Sequence, residues 1–189
     1  MSDKMIDEHF ENHFKTITGL NAHKDSINSI TQEIIKCFKN DGKLFICGNG
    51  GSASDAQHIA AELIGRYLKE RIPLPAISLS TDTSILTAIS NDYGYEEVFS
   101  RQISALTSKN DIVMVLSTSG DSRNIAKAIE AAKKNQSLTI GLFGANNGSL
   151  ENSVDYSIKV PSKITAHIQE AHIVIGHIIC SLLDLEYAK

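Results

Sequence analysis

Several features that mark large classes of protein are missing from this sequence. It has no cluster of basic residues and a net charge of −4, so a groove for nucleic acid is not expected. No apolar run is long enough to span a membrane, because His172, His177 and Asp184 interrupt the apolar segment near the C-terminus. The first twenty residues mix acidic and apolar side chains, unlike a secretory signal. We therefore expect a cytoplasmic protein that binds neither nucleic acid nor a membrane.

Cysteine is also scarce. The three cysteines, Cys37, Cys47 and Cys180, have neither paired nor zinc-type spacing, and we interpret them as reduced core residues. The length of 189 residues fits one domain with a substantial core. We predict a single domain over 1–189, in which helices over 1–41 precede an α/β core over 42–189 that ends in a long helix.

Short apolar runs alternate with helical patterns through that core. Residues 5–39 predict two helices with a break near Gly19, and helices are also expected on either side of a loop at 91–94. The predicted strands occupy residues 43–47, 76–80, 111–116, 137–143 and 155–160. Five such strands alternating with helices indicate an α/β fold with a parallel sheet covered on both faces.

A glycine-rich loop at residues 48–52 follows the first predicted strand. Ser52 or Ser54 is expected to cap the next helix, which should continue to about Leu68. A strand, a glycine turn and a helix N-terminus together favour anion binding. His58 and Glu62 lie four residues apart, on one face of that helix. They are either part of an active site against the sheet or an ordinary pair on the helix surface.

A serine-rich loop at residues 117–122 follows the third predicted strand in the same way. Its hydroxyls and backbone N–H groups suit a phosphate monoester, although a serine-rich turn with a helix cap would have the same composition. Asp121 is expected to face solvent. Neither loop matches a nucleotide-binding motif. Because ligands bind at the carboxyl ends of strands in open α/β sheets, both loops are candidates for one site.

The long C-terminal helix carries Gln169, Glu170, His172 and His177 among apolar residues. Its polar positions are consistent with solvent exposure, as on any long amphipathic helix. Eight residues are two turns plus about 80°, so spacing alone does not join Gln169 to His177. Spacing also does not choose between His177 and His172. The residues by themselves indicate a sugar-phosphate-like site with metal or acid–base side chains, and no more.

The combination of motifs resembles sugar isomerase (SIS) domains. The two loops occur in this order, with Asn91-Asp92-Tyr93-Gly94 between them and Ile168-Gln169-Glu170, His172 and His177 near the end. Within that group the sequence is most similar to the bacterial phosphoheptose isomerase family, over almost the whole chain. The resemblance implies a flavodoxin-like five-stranded parallel sheet and a homotetramer with active sites at subunit interfaces.

The resemblance also implies an activity and a set of residues. The reaction would convert sedoheptulose 7-phosphate to D-glycero-D-manno-heptose 7-phosphate through an enediol, the first step in making the ADP-heptose or GDP-heptose precursor for lipopolysaccharide or capsule. Glu62 and His177 would be the acid–base pair. One zinc ion per subunit would be held by His58, Glu62, Gln169 and His177. The substrate would be bound by Asn49, Gly50, Gly51, Ser52, Arg66, Asn91, Asp92, Ser117, Thr118, Ser119, Ser122 and Gln169.

Two positions depart from the family pattern, which commonly has arginine where this chain has His167 and asparagine where it has Asp121. Neither change removes a catalytic group that the resemblance implies. The alternative is the DnaA initiator-associating protein, a tetrameric SIS binding module that acts in replication initiation. That module lacks the acid and the second histidine, whereas Glu62 and His177 are both present here, which favours the enzyme.

Overall fold

The computed structural model describes residues 2–146 and 148–188. The helices are α1 (Ser2–Gly19), α2 (Lys24–Lys39), α3 (Gly51–Ile64), α4 (Thr83–Tyr93), α5 (Ser100–Leu106), α6 (Arg123–Lys134) and α7 (Thr165–Tyr187). The strands are β1 (Leu44–Gly48), β2 (Ala76–Ser78), β3 (Ile112–Ser117), β4 (Leu138–Gly144) and β5 (Tyr156–Val160). Short 3₁₀ turns lie at Leu20–His23, Tyr95–Glu97 and Leu150–Ser153.

The five strands form one parallel sheet in the order β2-β1-β3-β4-β5. This order confirms the predicted flavodoxin-like fold. Successive side chains of a strand point to opposite faces. Leu44 and Ile46 therefore enter an apolar cluster with α2, α3 and α7, while Phe45 and Cys47 enter a second cluster with α5 and α6. Burial on both faces explains why the strands read as continuous apolar runs.

The two N-terminal helices form as predicted, with the break at Leu20–His23. Ile27, Ile30 and Ile34 of α2 are buried in the same apolar cluster as the sheet, so α2 belongs to the core. Thr16 is the one buried residue of α1 among those the structure describes. The prediction of a single domain over 1–189 stays a prediction. The three cysteines are free and buried, as expected.

Three local expectations are wrong. Gly50 is the residue that precedes α3, with φ of 57°, and neither Ser52 nor Ser54 caps the helix. A backbone conformation that favours glycine therefore replaces a side-chain cap at this point. The helix also ends at Ile64 instead of near Leu68. The predicted loop at 91–94 is helical up to Tyr93, and only Gly94, with φ of 92°, leaves the helix.

The helix α7 differs from expectation in two ways. His172 is fully buried, so the interpretation of its polar residues as solvent-facing is wrong at this position. By length and mean hydropathy alone α7 would also qualify as a membrane span, in spite of its polar residues. Half of that apolar window is buried inside the fold, and core helices of globular proteins pass the same test, so these two properties do not by themselves indicate a membrane.

Candidate active site

A small pocket of about 50 Å³ lies at the carboxyl end of the sheet, where α3 and α6 begin. It is lined by Asn49, Ser52, Leu116, Ser117, Thr118, Ser119 and Ser122. Gly120, with φ of 66°, turns the serine loop toward α6. Because the free N–H groups of a helix N-terminus attract anions, two such termini beside one pocket favour a phosphate there. The structure therefore brings the two predicted loops together.

The hydroxyl groups of the serine loop are oriented by the backbone. Ser117 Oγ accepts a hydrogen bond of 3.1 Å from the N–H of Gly120, and Ser119 Oγ accepts one of 3.3 Å from the N–H of Asp121. A serine hydroxyl that accepts from the backbone still has its own proton to donate. Both hydroxyls can therefore donate to an anion. Asp121 itself is exposed, as predicted.

Asn49 is held by two residues that sequence reasoning did not find. Its side-chain amide pairs reciprocally with that of Asn124, over distances of 2.9 and 2.8 Å. The Tyr95 hydroxyl also donates to Asn49 Oδ1, at 3.1 Å. Asn124 lies 75 positions away in the sequence, so no local pattern signals this pair. The result is a side-chain amide held in one orientation where it lines the pocket.

Further along α3, three potential metal ligands meet. The Nε2 atoms of His58 and His177 are 3.1 Å apart, and His58 Nε2 is 3.3 Å from Glu62 Oε1. The ligand atoms of all three residues lie within 4.8 Å of one another. The Tyr67 ring stacks on His177, with centroids 5.3 Å apart. His58 and Glu62 thus share a face as predicted, and the structure selects His177 over the buried His172.

Gln169 lies elsewhere on α7. A Cβ atom added to Gly51 would come within 2.2 Å of Gln169 Nε2, so the amide lies directly against the start of α3. Gln169 precedes His177 by eight residues, or about 12 Å along the helix axis. Within one chain Gln169 is therefore placed with the glycine loop, and His177 with His58 and Glu62.

A buried ion pair anchors the end of α3 that carries Glu62. Arg71 Nε donates to Asp184 Oδ1 at 2.8 Å, and both side chains are almost fully buried. The same guanidinium donates to the backbone carbonyls of Glu62 and Leu63, the last turn of α3. These carbonyls lack partners within the helix, so Arg71 satisfies them and ties α3 to α7. The two residues are 113 positions apart, so no local pattern in the sequence signals this pair.

The remaining predicted sugar contacts lie at the surface. Arg66 is exposed, and its Nε is 3.8 Å from Glu70. Asn91 and Asp92 hydrogen-bond to each other at 2.8 Å on the exposed end of α4. Within the described part of the chain, no hydrogen bond joins these three residues to the pocket or to His58.

Burial changes the protonation of two groups near the site. It lowers the pKa of His172 to about 4, so this ring is neutral near pH 7. On α3, one turn before His58, burial raises the pKa of the Asp55 carboxyl to about 6, against the opposing effect of His58. Asp55 is therefore a carboxyl group that exchanges a proton close to neutral pH.

The fold and the paired loops define the class. The family model described as SIS domain matches residues 9–144, which run from α1 to the end of β4. A phosphoheptose isomerase from Helicobacter pylori strain P12 is 48% identical over 189 residues, covering 100% of this chain and 98% of its own. One from Nitratiruptor sp. is 57% identical over 150 residues, or 79% of this chain and 80% of its own.

Solved structures agree with the sequence relatives. The phosphoheptose isomerase from Neisseria gonorrhoeae aligns with a TM-score of 0.92 and 37% identity, over 98% of this chain and 100% of that one. The one from Francisella tularensis aligns with a TM-score of 0.94 and 38% identity, over 98% and 99%. The chain belongs to the phosphoheptose isomerase family.

Proposed function

We propose that this chain is an aldose–ketose isomerase that converts sedoheptulose 7-phosphate to D-glycero-D-manno-heptose 7-phosphate. The observation that carries the proposal is the meeting of His58, Glu62 and His177 in a chain 48% identical to a phosphoheptose isomerase over its full length. Such a reaction moves one proton between neighbouring carbons and another between their oxygens. It needs a carboxylate and a second side chain that can both accept and donate a proton, and both are present.

The phosphate end of the substrate would bind in the serine pocket. Ser117 and Ser119 would donate their hydroxyl protons to the phosphate oxygens, and the N-termini of α3 and α6 would add favourable charge. His58 lies six residues beyond Ser52, or about 9 Å along α3. A seven-carbon sugar phosphate is long enough to reach in that direction. Binding energy gained at the phosphate would then hold the reacting carbons in place.

Glu62 and His177 would carry the proton transfers. The Glu62 carboxylate would take the proton from C1 of the ketose, giving an enediol, and return it to C2. His177 would move the hydroxyl proton from O1 to O2, so that the carbonyl passes from C2 to C1. The stacked ring of Tyr67 and the contact with His58 limit the orientations of the His177 imidazole. An imidazole is suited to this role because one ring nitrogen can accept a proton while the other donates one.

The same residues fit one zinc ion per subunit. Two ring nitrogens and a carboxylate oxygen are a common zinc donor set, and zinc bonds of 2.0–2.1 Å place neighbouring ligand atoms about 3.3 Å apart. The separations of 3.1 and 3.3 Å among His58, His177 and Glu62 agree with that spacing. A bound zinc ion would polarise the substrate oxygens as a Lewis acid. Gln169 could join these ligands only from a second subunit.

A homotetramer with active sites at subunit interfaces is part of the proposal. Ile6, Phe10 and Phe14 form an exposed apolar stripe on α1, and α4 has no buried residue. A further apolar groove of about 580 Å³ runs beside α7 and includes Ile178, next to His177. Subunit contacts at these surfaces would also bring distant sugar-binding residues, such as Arg66, to a neighbouring site.

The product would enter heptose synthesis for lipopolysaccharide or capsule. The free, buried cysteines are consistent with a reducing compartment, which supports a cytoplasmic location.

The decisive experiment measures conversion of sedoheptulose 7-phosphate by the purified protein, before and after chelation and after zinc is restored. We expect activity that chelation removes and zinc restores. Glu62→Gln should lower turnover by about 10²–10⁴-fold, the usual contribution of a general base. Glu130→Gln, which alters an exposed glutamate on α6, is the matched control. Absence of turnover in every condition would instead favour the DnaA-binding alternative.

A further inference from the structure

A second group of histidine and glutamate side chains lies where α1 contacts α7. His9 and His13 are four residues apart on α1, and His167 and Glu170 are three apart on α7, so each pair shares one helix face. His13 Nδ1 and His167 Nδ1 lie 2.7 and 2.9 Å from Glu170 Oε2. His9 Nε2 lies 3.4 Å from Glu170 Oε1. Three imidazoles therefore surround one carboxylate.

The donor atoms in this group have the composition and spacing of a metal site. The ligand atoms of His9, His167 and Glu170 all lie within 4.8 Å of one another. Bonds of 2.0–2.2 Å to zinc place ligand atoms about 3–3.5 Å apart, so only small shifts are needed for one ion to reach all three. His167 is 2% exposed, while the His9 side chain is 53% exposed. The group is thus buried on the side of His167 and open to solvent on the side of His9.

We infer that His9, His167 and Glu170 bind a second transition-metal ion of the zinc class, separate from the ion proposed at His58, Glu62 and His177. His167 precedes His177 by ten residues, about 15 Å along α7, so one ion cannot serve both groups. Two imidazoles and a carboxylate leave a fourth position for water, as in three-ligand zinc sites. The hydrogen bond with His13 orients the carboxylate, as outer partners of metal ligands do.

The ion would fasten α1 to the rest of the fold. Thr16, near the end of α1, is the one buried residue among those described in that helix, so apolar burial contributes little to holding its first half. His9 lies in that half. A bond from His9 through the ion to α7 would supply the missing tether, because a metal that binds only the docked arrangement stabilises it.

The test measures how many zinc ions each full chain binds. His58→Ala/His177→Ala removes two ligands of the proposed catalytic ion, and this variant should retain about one zinc per chain after equilibrium dialysis against zinc. Adding His9→Ala to this double variant should remove the remaining zinc ion. His13→Ala should leave the count unchanged but weaken zinc affinity by about 10–100-fold, the usual effect of losing an outer partner. His23→Ala is the control, since His23 lies in the turn after α1, outside both groups.

Amide hydrogen exchange gives a second measurement that does not depend on the number of zinc ions bound per chain. In the His58→Ala/His177→Ala background, zinc should slow exchange of the α1 amides, and His9→Ala should abolish that slowing while the circular dichroism spectrum stays unchanged. The inference is overturned if the background variant binds no zinc. It is equally overturned if His9→Ala alters neither the zinc count nor α1 exchange, because the four residues would then form a hydrogen-bonded cluster only.

Discussion

Replacing Arg71 with methionine should destabilise the fold strongly, although the residue lies outside the proposed active site. The substitution keeps much of the side-chain volume and removes the charge. It leaves the Asp184 carboxylate, 1% exposed, without its partner. Asp184 Oδ2 also accepts from the N–H groups of Leu68 and Lys69, at 2.7 and 2.8 Å, so the carboxylate cannot turn away to water without losing those bonds.

The expected loss is about 3–5 kcal/mol in the free energy of unfolding, the range for a buried pair that loses one member. Most of this loss reflects the uncompensated charge of Asp184. Arg71→Met/Asp184→Leu should therefore recover the part of the loss that comes from the buried charge. It should not recover the part that comes from the N–H groups of Leu68 and Lys69, which lose their acceptor in the double variant. Activity of the single variant should also fall, because the guanidinium no longer holds the last turn of α3, which carries Glu62.

Urea unfolding followed by circular dichroism at one fixed protein concentration measures these differences. Fixed concentration matters because self-association adds to apparent stability. Lys39→Met is the matched control, since it removes the solvent-exposed pair with Glu186 and should cost far less. A loss below about 1 kcal/mol for Arg71→Met, or a double variant no more stable than the single one, would refute the reasoning that rests on the buried charge.

Three further predictions concern the pocket, the glycine loop and pH. Ser119→Ala should weaken binding of a phosphate-bearing substrate about 10–100-fold, because a hydrogen bond to a charged group contributes about 1.5–3 kcal/mol. An unchanged affinity would show that Ser119 does not bind the phosphate. Gly51→Ala should lower turnover with little change in helix content, because its Cβ displaces Gln169; full turnover would show that the amide position is unimportant. Burial acts to raise the pKa of Asp184. Hydrogen bonds from the backbone N–H groups of Lys69 and Leu68 and from the Arg71 guanidinium nevertheless hold this pKa below its ordinary range. The contribution of the Asp184 carboxylate to the free energy of unfolding should therefore be complete above about pH 4 and disappear as the pH falls through its folded-state pKa. Measuring that free energy against pH for the unaltered chain and for Asp184→Asn would check this.

Much of the fold was predictable because its determinants are local. The β-branched run ending at Leu116 and the spacing of Ile27, Ile30 and Ile34 depend on neighbours along the chain, and both elements form as expected. The errors occur where backbone conformation decides the outcome. The positive φ of Gly50 starts α3 without a serine cap, and Gly94 alone ends α4. Residue identities near a helix end do not distinguish these cases, because serine and glycine both favour such positions.

The sequence by itself determined the sheet, the two loops at the ends of β1 and β3, and the shared face of His58 and Glu62. Each follows from a periodicity or from a short motif with a local physical cause. Only the tertiary structure decided that His177, 119 residues from His58, joins that face while His172 is buried. It likewise brought His9 to Glu170 and Arg71 to Asp184. Such pairings depend on how α1, α3 and the loop after α3 pack against α7, and packing of distant segments leaves no periodic trace in the residues that meet.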